Sequence, residues 1–128
     1  MEQVWQFDLG TLRWEAMPAL EDARNDHACY AVRDNLVVIG GATLDASDAI
    51  FGSVEMLAEG KGAFTAHLPL TCGGGAGAAA IVVNESKSAE GQVLLLGGYG
   101  EDRDSVSTVC LVDLATGVCT VPATKSSL

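Results

Sequence analysis

The sequence predicts an all-β chain built of four-stranded antiparallel units set side by side. Three observations carry that expectation. The run Leu36-Val37-Val38-Ile39-Gly40-Gly41 returns as Val93-Leu94-Leu95-Leu96-Gly97-Gly98, so the glycine pairs stand 57 positions apart (97 less 40). Self-similarity at such a period marks repeat architectures. Short apolar runs, divided by Gly, Pro, Asn and Asp, read as strands and turns along the whole chain. No stretch keeps a 3.6-residue apolar period, so no helix is expected. Four strands per unit and a period of roughly 50 residues indicate a blade of a β-propeller.

Each element has its own warrant. Val4 to Leu9 is a short strand, Gly10-Thr11 turns it, and Leu12 to Met17 returns and stops at Pro18, which cannot donate to a ladder. Glu21 to Asp26 is a polar link. His27 to Val32 and the first Gly-Gly strand form a hairpin about Arg33-Asp34-Asn35. Residues 42–52 are a loop, Ser53 to Leu57 a third strand, Gly60-Lys61-Gly62 a turn, and Ala63 to Leu70 a fourth strand. The cycle then restarts. Thr71 to Gly77 is a glycine-rich link, Ala78 to Val83 a strand, Asn84 to Gly91 a polar hairpin loop, and Val93 to Gly98 the second Gly-Gly strand. Residues 99–106 form an acidic loop, Thr108 to Leu114 is a strand, and Thr116-Gly117 turns it into Val118 to Pro122. The division is a half blade over 3–20, a blade over 21–70, a blade over 71–122 and a frayed tail over 123–128. A double glycine at the end of a buried strand suits a place where φ is positive and another backbone comes close.

Composition narrows the function classes. Mean hydropathy of +0.27 is too apolar for a disordered chain. A net charge of -10 disfavours nucleic acid and anionic membranes, since both need a basic surface. The four cysteines, Cys29, Cys72, Cys110 and Cys119, form no C-x-x-C pair, and only His27 and His67 could join them, so neither a zinc site nor another metal or cofactor is expected. Cys29 and Cys110 sit inside apolar strands and read as buried, reduced thiols. The start Met1-Glu2-Gln3-Val4-Trp5 shows no secretory signal, and no apolar run reaches membrane-spanning length. The expected location is therefore intracellular, in the cytoplasm.

The pattern resembles the Kelch repeat, in which an apolar run enters Gly-Gly, a strand follows, and a Trp comes after the next turn. Here it runs Leu36 to Gly41, Ser53 to Leu57, then Phe64 in the Trp slot, and again Val93 to Gly98, Val109 to Asp113, then Cys119 in that slot. The N-terminal stretch carries the second half alone, Phe7-Asp8-Leu9-Gly10-Thr11-Leu12-Arg13-Trp14, echoed by Val112-Asp113-Leu114-Ala115-Thr116-Gly117-Val118-Cys119. Arg24-x-x-His27 also fits the family, and both residues are expected to make structural hydrogen bonds where the chain enters the second unit. The resemblance covers residues 3–122. It implies a partial Kelch-type propeller, with Gly40, Gly41, Gly97 and Gly98 closing the inner strands and Trp14 and Phe64 packed between blades. It also implies protein binding, including service as a substrate-recognition part of a larger assembly such as a ubiquitin-ligase adaptor. The rival expectations are a fragment of a Kelch-like propeller enzyme of the oxidase or sugar mutarotase kind, or a truncated product without activity.

The motifs offer no catalytic constellation. Gly73 to Ala78 contains G-x-G-x-x-A, but an apolar β run follows where the dinucleotide fingerprint needs a helix. Glu101, Asp102 and Asp104 lack calcium-loop spacing. Two histidines, His27 and His67, at different blade positions make no triad by spacing. No enzyme activity is expected.

Charge layout gives the one functional expectation. In an up-and-down blade the second-to-third strand loops and the inter-blade links share one end. Those segments hold Glu21, Asp22, Asp26, Asp45, Asp48, Glu101, Asp102 and Asp104 against Arg24 and Arg103, whereas the turns at the other end balance their charges. An acidic loop face would steer a basic protein partner. Propellers close with ~4–8 blades, so two and a half units cannot close a ring. Association with copies of itself, or membership of a longer protein, would complete it.

Overall fold

The computed structural model describes residues 3–43, 50, 52–67, 69–71, 75–86, 91–100 and 109–120. The chain is all-β. Its strands are β1 (Val4–Asp8), β2 (Arg13–Met17), β3 (Ala28–Val32), β4 (Asn35–Ile39), β5 (Val54–Leu57), β6 (Thr65–His67), β7 (Ala79–Asn84), β8 (Gln92–Leu96), β9 (Val109–Asp113) and β10 (Val118–Thr120). They form three antiparallel sheets of consecutive strands, β1-β2, β3-β4-β5-β6 and β7-β8-β9-β10, as expected for partial propeller blades. A single 3₁₀ turn, Ala58–Gly60, takes the place of the expected Gly60-Lys61-Gly62 turn, and the Glu59 N–H there donates to Asn35 Oδ1 at 2.9 Å.

The registers of the two larger sheets match. Ile39 faces Val54, and Leu96 faces Val109. The Asp-Leu-x-Thr strings also fold alike. In each, the aspartate accepts a backbone bond from four residues on, Leu12 N–H to Asp8 O at 2.8 Å and Gly117 N–H to Asp113 O at 2.8 Å. Its Oδ1 takes a second N–H two residues on, from Gly10 at 2.7 Å and Ala115 at 3.1 Å. The residue that turns left-handed is Gly117 in one copy and Leu12, at φ 57, in the other.

The core lies between sheets. Alternation along each strand sends Val37, Ile39, Val54 and Met56 to one side of the second sheet, where they cluster with Val93, Val112 and Leu114 of the third. The other side carries Leu36, Val38 and Leu57. With Phe64 and Leu20 these pack against Val4 and Met17 of the first sheet. Phe64 is thus buried between sheets, only 1% exposed, as the repeat slot implies. Cys119, in the same slot of the third sheet, packs onto the cluster shared with the second. Trp14 departs from expectation. It is 66% exposed and touches Phe7 at a ring distance of 5.0 Å. The slot residue points toward the preceding sheet, and no sheet precedes the first among the described residues. A second correction concerns the thiols: Cys29 is exposed and Cys110 half-buried. Cys72 lies outside the described residues.

Each strand with a double glycine ends before the glycines, at Ile39 and Leu96. Gly41 adopts φ 98, and a Cβ there would stand 2.6 Å from Asn25 O. Gly98, at φ 89, would meet Ala76 O at the same 2.6 Å. Any side chain would push the link off the strand end, which is the physical content of the repeated pair.

Candidate functional site

The inter-sheet links and the segments after β4 and β8 meet at one end of the sheets. Asn25 bridges Ala42, Ala42 bridges Ile50, and Ala76 bridges Tyr99. Two bonds cross between units here, Gly41 N–H to Gly75 O at 2.9 Å and Gly77 N–H to Asp26 O at 2.7 Å. The Tyr99 hydroxyl adds a third, donating to Asp26 Oδ2 at 3.0 Å. That bond, with some desolvation, raises the Tyr99 pKa above its ordinary value.

At this end Glu21, Asp22 and Asp26 are exposed. Arg24 is not on the surface with them, which corrects its placement on the acidic face. Its side chain is wholly buried. Nη1 donates to Gly40 O at 2.8 Å and reaches Ser53 O at 3.4 Å, while Nη2 donates to Ser53 Oγ at 3.1 Å and pairs with Glu55 Oε2. Glu55, 1% exposed, also accepts the backbone N–H of Glu21 at 2.6 Å and of Asp22 at 3.3 Å. The guanidinium fork and the two carboxylate oxygens therefore staple the link to the second sheet. The expected hydrogen-bonding role of Arg24 has this form. His27 beside it is exposed, and partial desolvation and then the Arg24 charge lower its pKa.

Among the described residues the third sheet has no such staple. Gly75 precedes the bridging Ala76 as Arg24 precedes Asn25, and Cys110 stands opposite Leu95 as Glu55 stands opposite Val38. Both members of the pair are replaced together.

Sequence reasoning missed Glu55 and Tyr99. A glutamate between Val54 and Met56 reads as the solvent-facing member of an alternating strand, but all four residues of β5 are buried. The sequence offered only a lone arginine in the link and a lone glutamate in an otherwise apolar strand, with nothing local to join them.

Of the expected acidic face, Glu21 and Asp22 are exposed as described, whereas Asp45, Asp48, Glu101, Asp102, Arg103 and Asp104 lie outside the described residues. Arg24 Nη2 also lies 3.8 Å from Asp22 Oδ2, so its charge is shared between buried Glu55 and exposed Asp22, and the described part of this end carries the exposed carboxylates of Glu21, Asp22 and Asp26. The turns at the other end hold exposed Arg13, Arg33 and Lys61 against Asp34, Glu59 and Glu85, a balance. Among the described residues no group of three or more His, Cys, Asp or Glu could hold a metal ion, and no helix is long and apolar enough to cross a membrane.

In comparisons with known proteins, no family model and no curated protein matches the chain.

Proposed function

We propose that the chain is a protein-interaction module of Kelch-repeat type, whose stacked sheets hold loops rigidly at one end and present an acidic face to a basic protein partner. The observation that carries this reading is the asymmetry of charge. Glu21, Asp22 and Asp26 stand exposed while Arg24, the one cation among them, is buried on Glu55, its Nη2 also 3.8 Å from Asp22. Fixed carboxylates on a cross-linked framework raise the encounter rate with a cationic surface and set its orientation. The resemblance extends the reading to substrate recognition within a larger assembly, with the loops supplying selectivity.

The test is binding to a panel of lysine- and arginine-rich peptides as salt is varied. Reversal of Glu21, Asp22, Glu101, Asp102 and Asp104 to Lys should weaken binding about tenfold or more at low salt, and 0.5 M salt should weaken the parent similarly. Reversal of Asp34 and Glu59 at the other end serves as the control and should change little. Equal affinities for the parent and the acidic-face variant at low salt would overturn the proposal.

A further inference from the structure

The two outermost sheet faces are both apolar, and each repeats one half of an interface already present inside the chain. On the first sheet Trp5, Phe7 and Trp14 are 55%, 40% and 66% exposed. Trp5 and Phe7 alternate onto one side of β1, and Trp14 stands opposite Phe7 in the register. Leu9, just past β1, is 82% exposed, whereas Leu114 at the matching place in the third sheet is fully buried. This is the side that, in the second and third sheets, packs onto the sheet before. On the far side of the third sheet, Ile81, Val83 and Val118 are about half exposed, and half-buried Leu111 lies with Val118 on one side of the β9-β10 pair. This is the side that, in the first and second sheets, receives the next one.

The fit is specific at one point. A groove of ≈ 320 Å³ on that far side is lined by Gln92, Leu111, Asp113, Thr116, Val118 and Thr120. By register, Leu111 and Thr120 match Met56 and Thr65 of the second sheet, as each pair faces across its ladder. Met56 belongs to the cluster onto which Cys119, the slot residue of the next sheet, is packed. The groove thus adjoins the place matching buried Met56, with Leu111 and Val118 as its apolar part and Gln92, Asp113, Thr116 and Thr120 as its polar part, and Trp14 is the slot residue that has no preceding sheet to enter among the described residues.

We propose that a second copy of this chain covers these faces, its first sheet lying on the third sheet of its neighbour with Trp14 seated in the Leu111–Val118 groove. The contact continues the sheet-on-sheet stacking inside each chain and is heterologous, so that repetition yields a ring where the rotation closes and a chain of copies where it does not. Exposed apolar patches of this kind mark association surfaces. The inference does not rest on the acidic face. Each copy carries a net charge of -10, so copies repel one another at low salt and the apolar contact strengthens as salt screens that repulsion. Binding of a basic partner moves the opposite way with salt, so failure of either reading is distinguishable from failure of the other.

The experiment is light scattering on the full chain at 10–500 μM (on the order of the range for modest protein affinities) in low and moderate salt. Tryptophan emission is read alongside, since Trp5 and Trp14 are the only two tryptophans. The expected result is a weight-average mass that climbs from 13.2 kDa with concentration and with salt, and an emission that shifts to the blue. Trp14→Asp spoils the first-sheet face and Val118→Asp the third-sheet face. Both sites are exposed, and far-UV circular dichroism checks that each variant keeps its β signal. Each alone should stay monomeric. Mixed, they should form a dimer that grows no further, because each retains the face its partner lost. A wild type that is monomeric throughout with unshifted emission would overturn the proposal. So would variants that associate as well as the parent, or a mixture that stays monomeric while the parent associates.

Discussion

Glu55→Ala tests how the link before β3 is held. The substitution removes the partner of a wholly buried Arg24 guanidinium and leaves the backbone N–H groups of Glu21 and Asp22 without their acceptor. Removing one member of a buried pair costs about 3–5 kcal/mol, because the other charge stays buried and uncompensated. Domains of this size hold roughly 5–15 kcal/mol in all, so the change removes a large share of the stability. Arg24→Ala should cost a similar amount, since it strands the carboxylate and removes a donor from Gly40 O. The double variant should be no worse than either single one, because the third sheet carries Gly75 and Cys110 at these places without a charge. A coupling of about 3 kcal/mol follows, near the top of the usual range for contacting residues. Urea unfolding at pH 7 followed by circular dichroism reads all three. A Glu55→Ala variant within about 1 kcal/mol of the parent, a shift no larger than an exposed ion pair is worth, would refute the reasoning, as would single losses that simply add.

Further outcomes are expected elsewhere in the fold. Phe64→Asp puts a carboxylate into a place that is 1% exposed, forfeiting at least the roughly 3–5 kcal/mol of a buried phenylalanine; the chain should unfold or aggregate, and a soluble variant with unchanged thermal melting would count against the sheet stack. Leu12→Gly replaces a 70% exposed leucine held at φ 57 with the residue the third sheet uses at the matching turn; relief of about 1–2 kcal/mol of left-handed strain, partly offset by chain entropy, should raise the melting temperature by a few degrees. Tyr99 has a raised pKa when folded, so its contribution is full below pH 10.0 and is lost as pH rises above that value; Tyr99→Phe should flatten the alkaline end of the stability profile. His27 has a lowered pKa when folded, so its contribution is full above pH 6.5 and declines as pH falls through that value; His27→Gln should remove that decline in denaturant titrations.

The strands were legible because each is a short apolar run bounded by turn residues, and the order of sheets follows from pairing neighbours. The double glycines were legible for the reason the structure gives, a crossing link that leaves no room for Cβ at Gly41 and Gly98. Two things were not legible. Glu55 and Arg24 lie 31 residues apart, and neither strand periodicity nor local charge joins a link to a strand across that distance. The exposure of Trp14 was hidden by the slot logic itself, since the slot fixes which way the ring points and not whether a sheet stands there to receive it. Of the residues expected on an acidic face, Glu21 and Asp22 are exposed, while Arg24, counted as a surface cation, is buried inside the fold.

The claim that these sheets stack in sequence, the slot residue Phe64 of the second reaching the first, is tested most directly by methyl and aromatic NOEs. Contacts are expected from the methyl groups of Val4 and Met17 in the first sheet to the cluster of Phe64, Val38 and Leu57 in the second. A spectrum in which Phe64 contacts only its own sheet, with Val4 and Met17 showing no cross-peaks to that cluster, would contradict the account.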